Sequence, residues 1–203
     1  MNSKINISKI RRDGGNLCLD FINTVHDRTE LPARDYLESY SDMIDWLELV
    51  KGFPIPAIDS LRKIAQEHPN EASQVFTSLI QIREMLFGIF SALAHAKKPS
   101  GSNLATLNDL ISETMNHMRV EFSQGKFKEN WTSEITDLRS ALWPITKSAL
   151  ELLLSGDFKR LKECPRCRWL FYDTSKNGKR RWCSMETCGS NDKALRYYYR
   201  NKR

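Results

Sequence analysis

Four cysteines fall within 25 residues in the last quarter of the chain, in the pattern Cys164-x2-Cys167-x15-Cys183-x4-Cys188. Thiolates in two close pairs are a donor set for tetrahedral zinc, with Zn–S bonds of about 2.3 Å. A two-residue gap lets a tight turn aim both sulfurs of the first pair at one ion, and Pro165 preorganises that turn. The four-residue gap suits a second pair in which Cys183 precedes a helix and Cys188 lies in its first turn. Four thiolates fill the shell and no His or Glu is placed to assist, so one structural zinc ion is expected and a catalytic metal is not. Iron–sulfur clusters and rubredoxin-type iron also use four cysteines. The longer second gap and the dense positive charge around it argue against an electron carrier.

The other reactive residue types form no second constellation. Cys18, between Leu17 and Leu19, reads as a small buried hydrophobe. His26, His68, His95 and His117 are scattered without ligand spacing. With no nucleophile–base pair, phosphate loop or open metal site, the chain is not expected to be an enzyme.

Charge singles out the same segment. Residues 1–155 carry 17 Lys/Arg against 20 Asp/Glu, whereas residues 156–203 carry 14 against 5, so a net of −3 is followed by a net of +9. Lys176, Lys179, Arg180 and Arg181 crowd the loop before the second cysteine pair. Lys193, Arg196 and Arg200 recur at helical steps beyond it, with Lys202 and Arg203 behind. Such a stripe suits a phosphate backbone, with the helix in a major groove and Tyr197, Tyr198 and Tyr199 adding hydrogen bonds or stacking. The plainer alternative is a solvated basic face, or one that docks on the acidic body.

These residues need elements to hold them, and the elements are mainly helical. Around the cysteines, a small zinc-stabilised finger is expected: a zinc knuckle or short hairpin plus a C-terminal helix capped by Gly189, Ser190 and Asn191. The aromatic residues of "WLFY", Trp182 and the tyrosines are expected to cover the metal. Gly156 is the seam between this finger (156–203) and a helical body (1–155) expected to fold alone. In the body, "SYSDMIDWLELVKG" offers Ser41 as N-cap and Gly52 as stop. Apolar residues from Val75 to Leu93 recur at steps of three and four, which predicts a long helix over about 72–96. A further helix carries Leu104, Leu107, Ile111, Met115 and Met118 on one face. "RVEFSQGKFKENW" reads as a turn or short hairpin. A last helix over about 133–155 should be kinked or split at Pro144.

The opening "GGNLCLDFINTVHDRT" alternates apolar residues with Asp20, Asn23, Thr24, His26, Asp27 and Arg28. Asp20, Asn23, Thr24 and His26 could line a small-ligand pocket. The alternative favoured by composition makes them solvent-facing, or a hydrogen-bonded network that fixes the first helix.

"WLFYDTSKNGKRRWCSMETCG" resembles the CGNR-type zinc finger, and "GGNLCLDFINTV" resembles the opening motif of the ABATE domain that precedes this finger in bacterial proteins. The resemblance extends over nearly the whole chain, including "LELLLSGDFKRLKECPRC". It implies a stress-induced transcription regulator with a mostly helical N-terminal domain and a DNA-binding finger. Two departures stand out: Cys188-Gly189 is followed by Ser190-Asn191 where the family's name prescribes Asn-Arg, and the first cysteine pair is more closely set than in many members. The missing Arg removes one expected contact to DNA.

The combined expectation is a cytoplasmic bacterial regulator. Its finger grips duplex DNA, and its body senses an unknown small-molecule effector or forms a homodimer. The alternative is a protein–protein or RNA-binding adaptor whose zinc module is a docking element. No apolar run is read as long enough to span a bilayer, and "MNSKINISKIRRDGG" lacks the apolar core of a secretory signal.

Overall fold

The computed structural model describes residues 7–131 and 135–201, and among them it places seven α-helices and two separate antiparallel hairpins. In chain order these are α1 (Leu17–Ile22), α2 (Tyr40–Leu49), α3 (Ile55–Glu67), α4 (Pro69–Ala94), α5 (Gly101–Asn116), β1 (Met118–Ser123), β2 (Lys126–Trp131), α6 (Trp143–Ser155), β3 (Leu161–Glu163), β4 (Leu170–Tyr172) and α7 (Ser190–Asn201). The mainly helical body followed by a hairpin, a cysteine cluster and a final helix is the fold class expected from the sequence.

The apolar periodicity explains the body. In α4, Leu79, Ile82, Leu86, Ile89 and Phe90 are buried at steps of one to four, and α1, α2, α3, α5 and β3 pack against this helix. Leu19, Phe21 and Ile22 of α1 lie fully inside, with Phe21 5.6 Å from Trp46 of α2. By length and composition alone α4 could cross a membrane, which corrects the expectation that no apolar run is long enough. Its role in the structure is that of a central core helix. Arg83, 3 % exposed, donates to both carboxylate oxygens of Asp35 at 2.9 and 2.6 Å and to Thr24 Oγ1 at 3.0 Å.

Two local details differ from the sequence reading, the cap of α2 and the presence of α3, and two agree with it. The N-cap of α2 is Ser39, whose Oγ accepts from the Asp42 amide, and the helix ends with Lys51 in the left-handed region. α3 was not anticipated, and two prolines, Pro54 and Pro56, accompany it. Both lie at its start, where a missing N–H costs nothing. Pro144 splits the last helix of the body: a 3-10 turn covers Leu138–Leu142, and α6 begins at Trp143 with Pro144 in its first turn. The part of that reading on residues 133–134 lies outside the described residues. The ambiguous "RVEFSQGKFKENW" is a hairpin, closed by Gln124 and Gly125 with φ of 53° and 74°.

Candidate metal centre and the basic helix

The hairpin β3–β4 builds the first half of the metal site. Leu161 pairs with Tyr172 and Glu163 with Leu170, and the turn between the strands carries Cys164 and Cys167. That turn is closed by the Cys164 amide donating to the Trp169 carbonyl at 2.8 Å and the Arg168 amide donating to the Cys164 carbonyl at 2.9 Å. Arg168 takes a φ of 60°. The second half is a single π-helical turn over Met185–Gly189, in which the Gly189 amide donates to the Ser184 carbonyl at 3.0 Å. Cys183 precedes this turn and Cys188 lies within it, as the four-residue gap predicts. The helix therefore begins at Met185 and not after a cap at Gly189–Asn191. A Cβ at Gly189 would meet Met185 Sδ at 2.6 Å, a contact that the half-exposed Met185 side chain could relieve by turning outward.

All four sulfurs are buried and lie within 4.8 Å of one another, and Cys167, Cys183 and Cys188 form a triangle with 3.6 Å sides. A tetrahedron with zinc–sulfur bonds of about 2.3 Å has sulfur–sulfur edges of roughly 3.8 Å. The donors therefore fit one zinc ion. Crowding couples the thiols to one another. Hydrogen bonds from Cys167 and Cys183 hold the Cys164 thiol far below its ordinary value, while the contact with Cys164 drives Cys167 and Cys183 up. Bound zinc supplies the compensating charge and a cross-link between the hairpin and the helical turn.

The knuckle is docked on the body by side chains from the opening motif. The Asn23 Nδ2 donates to the Leu170 carbonyl at 2.7 Å, and the Leu170 amide donates to Asn23 Oδ1 at 3.0 Å. Trp169 Nε1 donates to the Val25 carbonyl at 2.6 Å, and the Arg28 amide donates to the carbonyl of the metal ligand Cys167 at 3.1 Å. Trp169, Leu170 and Phe171 are fully buried in a core shared with the helices. Residues 11–15 form a strap on the other side. The Tyr172 amide donates to the Gly14 carbonyl at 2.8 Å, and Arg11 lies 4.7 Å over Trp169 and donates to Thr187 Oγ1.

Asp20, Asn23, Thr24 and His26 thus have separate places. Asp20 Oδ1 accepts from the Gly14 amide at 2.9 Å, and burial pushes its carboxyl up to about 6. Asn23 holds Leu170, and Thr24 donates to the Phe21 carbonyl while accepting from Arg83. His26 Nδ1 lies 3.1 Å from Arg34. None of the four lines the cavity of about 310 Å³ between α2, α3 and α4, whose walls include Glu38, Tyr40, Ile44, Arg62, Ala72 and Phe76.

The basic residues divide into two groups. Arg180 is turned inward, its guanidinium 4.9 Å over Phe171 and donating to the Cys183 carbonyl. Lys179, Arg181, Lys193, Arg196 and Arg200 are exposed. α7 has no buried residue, so the tyrosines it carries do not join the aromatic cover of the metal; Trp169 and Phe171 form the packed cluster instead. On the helix, Arg196 pairs with Asp192 at 2.9 Å, and Arg200 lies over Tyr197. Lys202 and Arg203 lie outside the described residues.

Two residues missed in the sequence shape the basic loop. Asp173, fully buried, accepts from the Ser175 amide and hydroxyl, the Arg180 amide at 2.8 Å and Lys162 Nζ at 2.7 Å. Burial opposes its charge, but these donors win and hold the carboxyl far below the usual range. Lys162 also donates to the Gly178 and Arg180 carbonyls at 2.6 and 2.8 Å, so this pair fixes the backbone that presents Lys179 and Arg181. The signal available in the sequence was "DTS", an Asp placed to bond its own backbone two residues on.

Comparison with known families agrees with this geometry. No curated protein matches the chain. Residues 160–201 match the CGNR zinc finger, and residues 15–156 match the ABATE family model, described as "Putative stress-induced transcription regulator". The second match spans most of the chain and ends beside Gly156, and the first contains all four cysteines. The chain therefore belongs to the ABATE family and carries a CGNR zinc finger after its ABATE domain.

Proposed function

We propose that the protein is a cytoplasmic transcription regulator that binds duplex DNA through α7 and the adjoining basic loop. The observation that carries this reading is the exposure of α7 along its whole length. Lys193, Arg196 and Arg200 lie on one face, and the helix is rooted in the turn that holds Cys188. Lys179 and Arg181 extend the same positive surface, whereas Arg180 acts as a brace within it. Zinc fixes the root of the helix, and Asp173 with Lys162 fixes the loop, so the cations are presented on a preorganised frame. Four cysteine ligands complete the metal shell, which favours a non-catalytic role. The effector expected of the body is assigned to the 310 Å³ cavity, which has the size and the mixed apolar and polar lining of a small-ligand site.

Titration of the zinc-loaded protein with duplex DNA at several salt concentrations tests the reading. Three phosphate contacts from α7 and one from the loop release about four counterions, giving a slope of log affinity against log salt of roughly −3.6. Arg196→Ala with Arg200→Ala should flatten the slope by about 1.8 and weaken all sequences alike. Unchanged slope and affinity in the double variant would remove α7 as the DNA surface. Tighter binding to single strands would favour the exposed Tyr197 and Tyr199 as stacking residues and the RNA-binding alternative.

A further inference from the structure

The hairpin β1–β2 stands out from the body with a largely apolar face, broken by Glu129 opposite Val120, that no other described element covers. Val120 is 66 % exposed, Phe122 67 % and Phe127 75 %, and the two phenylalanines lie 5.0 Å apart. Alternation puts Met118, Val120 and Phe122 on that face and Arg119, Glu121 and Ser123 on the other. At its base the hairpin is anchored by Trp131, 5.7 Å from Trp143.

The outer edge of β1 is ready to take another strand. Ser123 and Lys126 flank the two-residue turn as a hydrogen-bonded pair. Counting back from it, Met118, Val120 and Phe122 turn their N–H and C=O groups away from β2. The Met118 carbonyl, on that edge, accepts from its neighbour Arg119 at 2.8 Å, and the same guanidinium donates to the Asn116 carbonyl at 2.8 Å; both bonds open when Arg119 turns to a second strand.

We propose that β1 pairs antiparallel with β1 of a second copy of this chain, on a two-fold axis at Val120, to form a four-stranded sheet. A two-fold axis normal to the sheet keeps the apolar faces together, and the strands must then be centred on a residue. Centring on Arg119 or Glu121 sets like charges opposite each other. Centring on Val120 sets Arg119 opposite Glu121 of the second copy, twice by symmetry, and Met118 opposite Phe122 of the second copy. The two ion pairs fall at positions where the backbones exchange no hydrogen bonds and side chains approach most closely. Phe122 of each arm reaches the base of the other. β2 offers no such edge, because pairing it about Lys128 sets lysine against lysine and Phe127 against Glu129. This names a contact for the homodimer that the sequence reading offered as one role of the body, and it is read from the hairpin alone.

Sedimentation of the full zinc-loaded chain without DNA tests it, so the outcome is separate from that of the DNA titration. The wild type should sediment at twice its 23.6 kDa mass at micromolar concentration. Arg119→Glu and Glu121→Arg each replace two attractive pairs by two repulsive ones and should weaken the dimer on the order of tenfold or more. Both positions are exposed, so the fold and the zinc content should be kept. The charge-swapped double variant restores opposite charges and should regain the dimer. A monomeric wild type would leave the edge to an unlike partner and overturn the proposal. Single variants that dimerise as well as wild type, or a double variant that stays monomeric, would overturn it equally.

Discussion

The carboxamide of Asn23 satisfies both backbone groups of Leu170, a residue 147 positions away, donating to its carbonyl and accepting from its amide in a fully buried setting. An amide side chain is the natural match, since it offers a donor and an acceptor side by side. This pair joins the first helix of the body to the strand that follows the zinc knuckle.

Asn23→Ala leaves a buried N–H and a buried C=O without partners, at about 1–3 kcal/mol each. The variant should unfold at clearly lower urea concentration, by about 2–6 kcal/mol in all. Asn23→Asp keeps the acceptor but loses the donor and buries a charge, so it should be no better. A midpoint within error of wild type for either variant would show that the pair carries no stability.

The Asp20 carboxyl is raised to about 6, chiefly by burial, against the bond from the Gly14 amide. A folded pKa above the unfolded one gives stability that is present below about pH 4 and lost as pH rises through about 6. At pH 7 the buried carboxylate is therefore a net cost, up to about 3 kcal/mol for a shift of roughly two units. Asp20→Asn should raise the melting temperature at pH 7, and its advantage over wild type should shrink steadily toward pH 4. A difference that does not vary with pH would contradict this.

Cys183→Ser removes one of four zinc ligands, and structural zinc contributes about 10–16 kcal/mol of apparent binding free energy in small fingers. Metal analysis should fall from one zinc per chain to a small fraction of that. The helicity of α7 and the π-turn should go with it. Because Trp169, Leu170 and Phe171 sit in the shared core, a chain cut at Gly156 should also be less stable, by about 1.5–3 kcal/mol for each large side chain withdrawn. Equal stability of the cut and intact chains would make residues 1–155 a self-sufficient unit.

Asp192 holds Arg196 at 2.9 Å on the exposed face of α7. Such a pair is worth about 0.3–0.5 kcal/mol. Asp192→Asn frees the guanidinium for a phosphate and should strengthen duplex binding about twofold, most visibly at low salt. Weaker binding would place the two residues' pairing on the side of recognition.

The metal ligands were legible because cysteine spacing alone restricts what four thiols can reach. The helices with steps of three and four were legible for the same reason, since Leu79, Ile82, Leu86 and Phe90 record one face directly. β1–β2 was half legible: its strands are short, exposed and charged on one side, and burial was not there to sharpen the pattern. For Asn23 and Asp20 a hydrogen-bonded network was among the readings favoured, but their partners Leu170 and Gly14 were beyond reach, because a polar residue between apolar ones looks alike whether it meets water, a ligand or a distant backbone. Arg180 was indistinguishable from Arg181 until the structure put one on Phe171 and left the other in solvent.

The bond between Asn23 and Leu170 also sets a clock on synthesis. At about 5–20 residues per second, Leu170 leaves the ribosome roughly 7–30 s after Asn23. Through that interval the Asn23 carboxamide at the end of α1 has no Leu170 backbone to receive it, although helix formation itself takes about a microsecond or less. The nascent body must therefore wait with an open seam beside Val25 and Asn23, and it closes only when the knuckle arrives and takes up its metal. Zinc supply during translation would then bear on the body as well as the finger. A cell short of zinc would accumulate chains stalled at this step, recognisable by protease cleavage near residues 23–28.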